Sequence, residues 1–229
     1  MINFIEVYEG AVALFEDPKI TTQFRQNPIS FYKTMFPYLQ DAIFQFNNPS
    51  VLGYQLADYT EPDGYTEEFV GDGVTTQYTL STQPTENAII QCELGDSIIA
   101  AEYDITTNMI TLQEPIQEAD SFTIVWYDCG YFNSDFNGLV AENVYNFLIK
   151  SVKGILAHLI VKAWATNEKN FLLDIQRLLN DSDFKLFSES SVNKSKVSWV
   201  NDIDRACQKM QTQLAWNLQF SRASTNRRW

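Results

Sequence analysis

From Val140 to Ala163, apolar residues return every three or four positions: Val140, Val144, Phe147, Leu148, Val152, Ile155, Leu156, Leu159, Ile160 and Ala163. The spacing predicts one long helix whose apolar stripe is too wide for a single neighbour to cover. A helix of this kind draws its stability from other elements packed on it. Further along, Phe171, Leu172, Ile175, Leu178 and Leu179 predict a second helix with Asn167 as its cap. The Ser-, Asn- and Lys-rich interval from Asp181 to Ser198 reads as a loop. A last helix is expected from about Val200 to Phe220, with Ile203, Cys207, Met210, Leu214 and Leu218 on one face.

Upstream of the long helix the period changes. Residues 1–61 carry breakers at Pro18, Pro28, Pro37 and Pro49, so their helices are expected to be short and bounded by proline. Phe31, Met35, Leu39, Ile43 and Phe46 predict one amphipathic helix there, in an aromatic stretch that reads as a packing surface. Asp58, Glu61, Pro62, Asp63 and Gly64 read as a polar linker. Beyond it, alternation predicts strands near Thr76–Leu80, Asn87–Leu94, Met109–Leu112 and Ser121–Tyr127, with turns at Gly71-Asp72-Gly73, Gly95-Asp96, Thr107-Asn108 and Glu114-Pro115. The expected fold is α+β, a helical bundle with an inserted small antiparallel β-sandwich or barrel domain. Its parts would be N-terminal short helices over 1–61, the inserted β domain over 62–132, a C-terminal helical bundle over 133–220 and a polar basic tail over 221–229.

Charge is segregated along the chain. Residues 34–149 contain no Lys or Arg and 18 of the 29 acidic residues, whereas from Lys185 onward eight basic residues face three acidic ones. The net charge of −13 and the pI near 4.4 argue against phosphate neutralisation or an anionic membrane as the mode of binding. Met1 to Leu14 has Glu6 and Glu9 and no basic region of the kind that opens a secretory signal, so a cytosolic origin is expected. No uninterrupted apolar run reaches the length of a membrane span.

Chemistry-bearing groups are sparse. Cys92, Cys129 and Cys207 lack the paired spacing of a zinc site or a disulfide framework and read as buried reduced thiols. His158 lies in the apolar stripe and reads as a packing histidine. Gly71-Asp72-Gly73 opens a strand instead of leading a strand into a helix, so it lacks the setting of a phosphate-binding loop. Asp58, Glu61, Asp63, Glu67 and Glu68 have the oxygen ligands for calcium but not the spacing of an EF-hand. No pair of carboxylates stands out for glycoside hydrolysis. The chain therefore reads as a non-enzyme with no catalytic residue, cofactor or metal.

The run Glu68-Phe69-Val70-Gly71-Asp72-Gly73-Val74-Thr75-Thr76-Gln77-Tyr78-Thr79-Leu80 is followed by Pro84, Glu102-Tyr103-Asp104, Asn108 to Leu112, Pro115 and Ala119 to Tyr127. This pattern resembles a β domain common in the virion proteins of tailed bacteriophages. With helical flanks, the whole looks like the head-to-tail adaptor (connector or neck) proteins. The resemblance implies a structural ring subunit of roughly twelve copies, located in the virion neck and made in the host cytoplasm. Its partners would be itself, the portal protein and a tail or second neck protein, with DNA passing through unbound by sequence and no membrane involved. By position alone, Arg222, Arg227, Arg228 and Trp229 would dock on the portal. Carboxylates within about 8 Å of the duplex would leave it few contacts to stick to. The alternative is a tail or baseplate accessory protein whose β domain binds host carbohydrate, with Tyr103, Trp126 and Tyr131 as stacking candidates; a virion-associated glycan hydrolase is a third.

Overall fold

The structure, a computed structural model, describes residues 2–15, 17–95, 97–134, 136, 139, 142–180 and 190–225. The chain begins with β1 (Ile2–Asn3), α1 (Phe4–Val12), α2 (Pro18–Gln26), α3 (Pro28–Gln45) and α4 (Ser50–Leu56). Strands follow as β2 (Tyr59–Thr60), β3 (Asp63–Val70), β4 (Gln77–Thr79), β5 (Ile89–Leu94) and β6 (Ser97–Ile99). The remaining strands are β7 (Ala101–Asp104), β8 (Met109–Leu112), β9 (Ser121–Asp128) and β10 (Tyr131–Phe132), and two long helices close the order, α5 (Glu142–Asn180) and α6 (Ser190–Thr225). The chain divides into two compact units. One comprises residues 1–18, 34–59 and 132–229; the other comprises 19–33 and 60–131.

In the helical unit, Asn3 caps α1 by accepting the Ile5 N–H at 3.0 Å. The buried face of α1, Phe4, Val7, Tyr8 and Ala11, packs on α5, where Gly10 lets the backbone approach Ala157 closely. Leu148, Val152, Ile155, Leu156, Leu159 and Ile160 of α5 are buried, as the stripe predicts. Pro18 and Pro28 open α2 and α3, where a missing N–H costs nothing, and Pro37 lies inside α3. Phe4, Phe36, Tyr59 and Phe132 form a ring cluster, with Phe4 and Phe132 centroids 4.8 Å apart and edge-on.

In the β unit, the sheet ordered β3-β9-β5-β6 and the sheet ordered β4-β8-β7 share one core. Leu80, Ile110 and Leu112 from the strands and flanks of one meet Cys92, Phe122, Ile124 and Trp126 of the other. Strand β9 is the spine, pairing antiparallel with β3 from Asp63↔Asp128 to Val70↔Ser121 and with β5 on its other edge. The turns carry the residues that left-handed backbone favours: Gly73, Gly95 and Asn108 all have positive φ.

The expected bundle with an inserted sandwich or barrel is not what forms. The fold is α+β with six helices and three small antiparallel sheets among the described residues. The helical unit includes most of a sheet of its own, ordered β1-β10-β2. The β unit in turn takes residues 19–33, helix α2 and the first turns of α3. Gln91 of β5 holds them there: its Oε1 accepts the Ile29 N–H at 3.4 Å and its Nε2 donates to Asn27 Oδ1 at 3.4 Å.

Other local expectations also change. Within the polar linker at 58–64, Tyr59–Thr60 and Asp63–Gly64 are strand, because β2 pairs with β10 and β3 pairs with β9 along its full length. Helix α5 runs unbroken through Asn167, whose Nδ2 donates to the Tyr38 hydroxyl at 3.0 Å instead of capping a new helix. Helix α6 starts at Ser190, inside the interval expected to be a loop, while 181–189 lie outside the described residues.

Candidate interaction surfaces

Helices α5 and α6 pack along Ile155 and Leu159 on one side and Cys207, Leu214 and Leu218 on the other, and Lys162 and Asp204 form an ion pair between them. Along one flank of this pair runs an open groove of about 500 Å³ lined by Phe147, Ser151, Gly154, Gln213 and Trp216. Phe147, a member of the predicted stripe, is half-exposed at 50%, and Trp216 and Phe220 are more so. The last two rings stack at 6.0 Å and 23° across one helical turn. A Cβ at Gly154 would meet nothing within 4 Å, so the groove floor is accessible to an incoming side chain. Near the junction of α3 and α4, Phe44 is 92% exposed and Tyr54 81%. Val144–Asn170 is long and apolar enough to cross a membrane, a property that core helices of folded proteins share, and nearly half of its richest window is buried within the protein.

The β unit presents carboxylates. Residues 60–131 hold fourteen acidic residues and no basic one; the unit's three cations, Lys19, Arg25 and Lys33, all lie in its helical residues. Ten of the acidic residues, Glu61, Asp63, Glu68, Asp72, Glu86, Glu102, Asp104, Glu114, Glu118 and Asp120, are exposed. The unit's formal charge is −11 against −2 for the helical unit.

Several of these carboxylates close turns. Asp72 accepts from the N–H of Val74 at 2.9 Å, the N–H of Thr75 at 2.6 Å and the Thr75 hydroxyl at 2.5 Å. The Thr75 hydroxyl, followed by these backbone donors, holds the Asp72 carboxyl down at about 2. Asp104 is lowered in the same way by the Thr106 N–H and the Thr107 hydroxyl. The residues considered for calcium are dispersed over separate partners. Asp58 accepts from Asn133, Asp63 from the N–H of Gly64, and Glu67 from Ser81. Among the described residues, no three His, Cys, Asp or Glu side chains gather to hold a metal.

The aromatic residues proposed for sugar stacking separate. Trp126 is 3% exposed and belongs to the core, so it offers no open face. Tyr103 donates to Asn108 Oδ1 at 3.0 Å while its ring packs on the same core, and Tyr131 is half-buried. Tyr65, stacked over Trp126 at 5.4 Å and 47% exposed, is the aromatic that faces outward. The pairing of β3 with β9 sets Tyr65 directly opposite Trp126.

Of the residues proposed for portal docking, Arg222 lies in α6, and Arg227, Arg228 and Trp229 lie outside the described residues. All three thiols are free and buried. Burial pushes Cys92 and Cys207 up to about 11 and Cys129 up to about 12, well away from the thiolate a nucleophile requires. His158 Nδ1 lies 2.8 Å from the Gly154 carbonyl of its own helix. No protein-family model matches the chain, and no curated protein matches it significantly.

Proposed function

We propose that this protein is a structural head-to-tail adaptor of a tailed-phage virion, a ring subunit between the portal and the tail that forms part of the channel for DNA. The observation that carries the reading is the division of charge by unit, with a β unit that exposes ten carboxylates and, from residue 60 to 131, no cation. A ring of such units lining a channel gives a duplex few phosphate contacts, so DNA moves without being held. Apolar surface left open on the helical unit supplies what subunit contacts need. The likeness of the Gly71-Asp72-Gly73 module to virion β domains agrees with this. The glycan-binding alternative loses one of its three stacking candidates, since Trp126 is core.

Electron microscopy of the protein mixed with the portal and tail proteins of its own particle tests the proposal. Rings with a central channel are expected. A protein that stays monomeric in that mixture, or a ring whose acidic units all point away from the channel, would overturn it.

A further inference from the structure

Within the ring reading, on which this step rests, the helical unit also carries both halves of a subunit contact. One half is the α5–α6 groove with its exposed Phe147 and Trp216. The other is the corner between α3 and α4, where Phe44 and Tyr54 are the two most exposed large apolar side chains among the described residues. Both lie within two residues of the point where Gly53 closes on the Phe46 carbonyl, so the corner is rigid.

We infer that the corner of one copy, led by Phe44, occupies the α5–α6 groove of the next copy. Charge matches the shapes. Asp41 is exposed one turn before Phe44 on the same face of α3, and residues 34–59 contain two carboxylates and no cation. Lys150 lines the groove and the exposed Lys209 lies one turn before Gln213; α6 as a whole has five cations against two carboxylates. An acidic aromatic corner thus meets a basic aromatic groove.

The corner cannot fill its own groove. Gln211 fixes the α3–α4 junction to α6, its Oε1 accepting the N–H groups of Asn47 and Asn48 at 3.2 and 3.0 Å and its Nε2 donating to the Gln45 carbonyl at 3.4 Å. At about 100° per residue, the α6 residues that line the groove lie roughly 60° (Leu214), 100° (Met210), 120° (Asn217), 140° (Trp216) and 160° (Gln213) around the helix from Gln211, so the groove is centred well round α6 from the junction. Corner and groove therefore open on different flanks, and the contact is heterologous. Each copy offers one of each, which is the arrangement that closes rings or runs on as filaments.

Light scattering and native mass spectrometry of the full chain test the contact with Phe44→Asp and Trp216→Asp. Both side chains are more than half exposed, so both variants should melt at the wild-type temperature. Each alone should associate about 30-fold or more weakly than wild type, as loss of an interface anchor does. Mixed, they should form a one-to-one dimer that grows no further, because one intact corner and one intact groove remain. Assembly of Phe44→Asp alone at wild-type strength would show groove meeting groove, and wild-type assembly by both variants would show another interface; either overturns the contact but leaves the ring. A wild type that is monomeric by itself also overturns the contact, whereas the ring reading falls only if the monomer persists with portal and tail proteins.

Discussion

Among the described residues each unit buries one polar side chain, and in both it is a glutamine that holds an end of α3. Gln91 in the β unit fixes the α2–α3 junction, and Gln211 in the helical unit fixes the α3–α4 junction. The partners are 62 and 164 residues away in sequence. The difference is in geometry: Gln211 accepts two backbone N–H groups at 3.0 and 3.2 Å, whereas Gln91 makes its backbone bond at 3.4 Å. The surfaces differ too. The helical unit leaves several aromatic rings open and is near neutral, while the β unit encloses most of its rings, Tyr65 excepted, and exposes charge. In the proposed ring, the first unit would meet its neighbours and the second would face nucleic acid without holding it.

The strongest way to break the comparison is to empty the β core. Phe122 is 1% exposed and is packed by Phe69 and Tyr78 at 5.6 and 4.8 Å. Phe122→Ala should cost about 3–5 kcal/mol. Buried thiols report where the loss falls, because Cys92 belongs to the β unit and Cys207 to the helical unit. In urea, the variant should expose Cys92 to a thiol reagent well before Cys207; equal shifts of both would show that the units unfold as one. Gly71→Ala attacks the same unit from its loop. A Cβ there would lie 2.4 Å from the Gln117 carbonyl oxygen and 2.7 Å from that of Ile116, both backbone atoms that cannot swing aside. The expected loss is about 1–3 kcal/mol, again read at Cys92.

The two glutamines give a matched pair of smaller effects. Gln211→Leu strands the N–H groups of Asn47 and Asn48 and should cost about 2 kcal/mol. Gln91→Leu removes longer bonds and should cost about 1 kcal/mol. Chemical denaturation of both variants decides it, and a larger loss at Gln91 would reverse the ranking of the two anchors.

What the sequence reveals depends on whether the determining contact is local. Strand β8 stands where alternation predicts it, and β5 and β9 nearly so, because each has one face in the core. Strand β3 gives no such signal. It is an edge strand with Asp63 and Glu68 exposed and Glu67 half-buried against Ser81, and carboxylates on an edge discourage pairing with other chains while blurring the pattern. Residues 19–33 belong to the β unit through contacts such as Gln91 with Ile29 and Lys33 with Tyr127, which span more than 60 residues and leave no local pattern. The start of α6 gives no local signal, because Ser and Asn are weak helix formers and their propensity favours a loop. The groove was half legible: Phe147 is in the stripe, but only packing shows that this member of it stays uncovered.

The smallest effect expected is electrostatic and belongs to the Gly71-Asp72-Gly73 turn. Asp72 is held down at about 2 by the Thr75 hydroxyl and the backbone N–H groups of Thr75 and Val74, against about 3.9 in an unfolded chain. A carboxyl lowered on folding adds stability above its unfolded value and loses it as pH falls towards the folded one. The contribution is therefore present at pH 5, declines from about pH 4 and is gone near pH 2. Asp72→Asn keeps an acceptor for the two N–H groups but removes the charge that responds to pH. Its urea midpoint should lie slightly below wild type at pH 5 and converge on it by pH 2, with Cys92 exposure as the local readout. Because the site is fully exposed to water, the gap should stay small and shrink with added salt. A gap that stays constant from pH 5 to pH 2 would mean that the turn is held by shape alone and that the charge on Asp72 contributes nothing to the β unit.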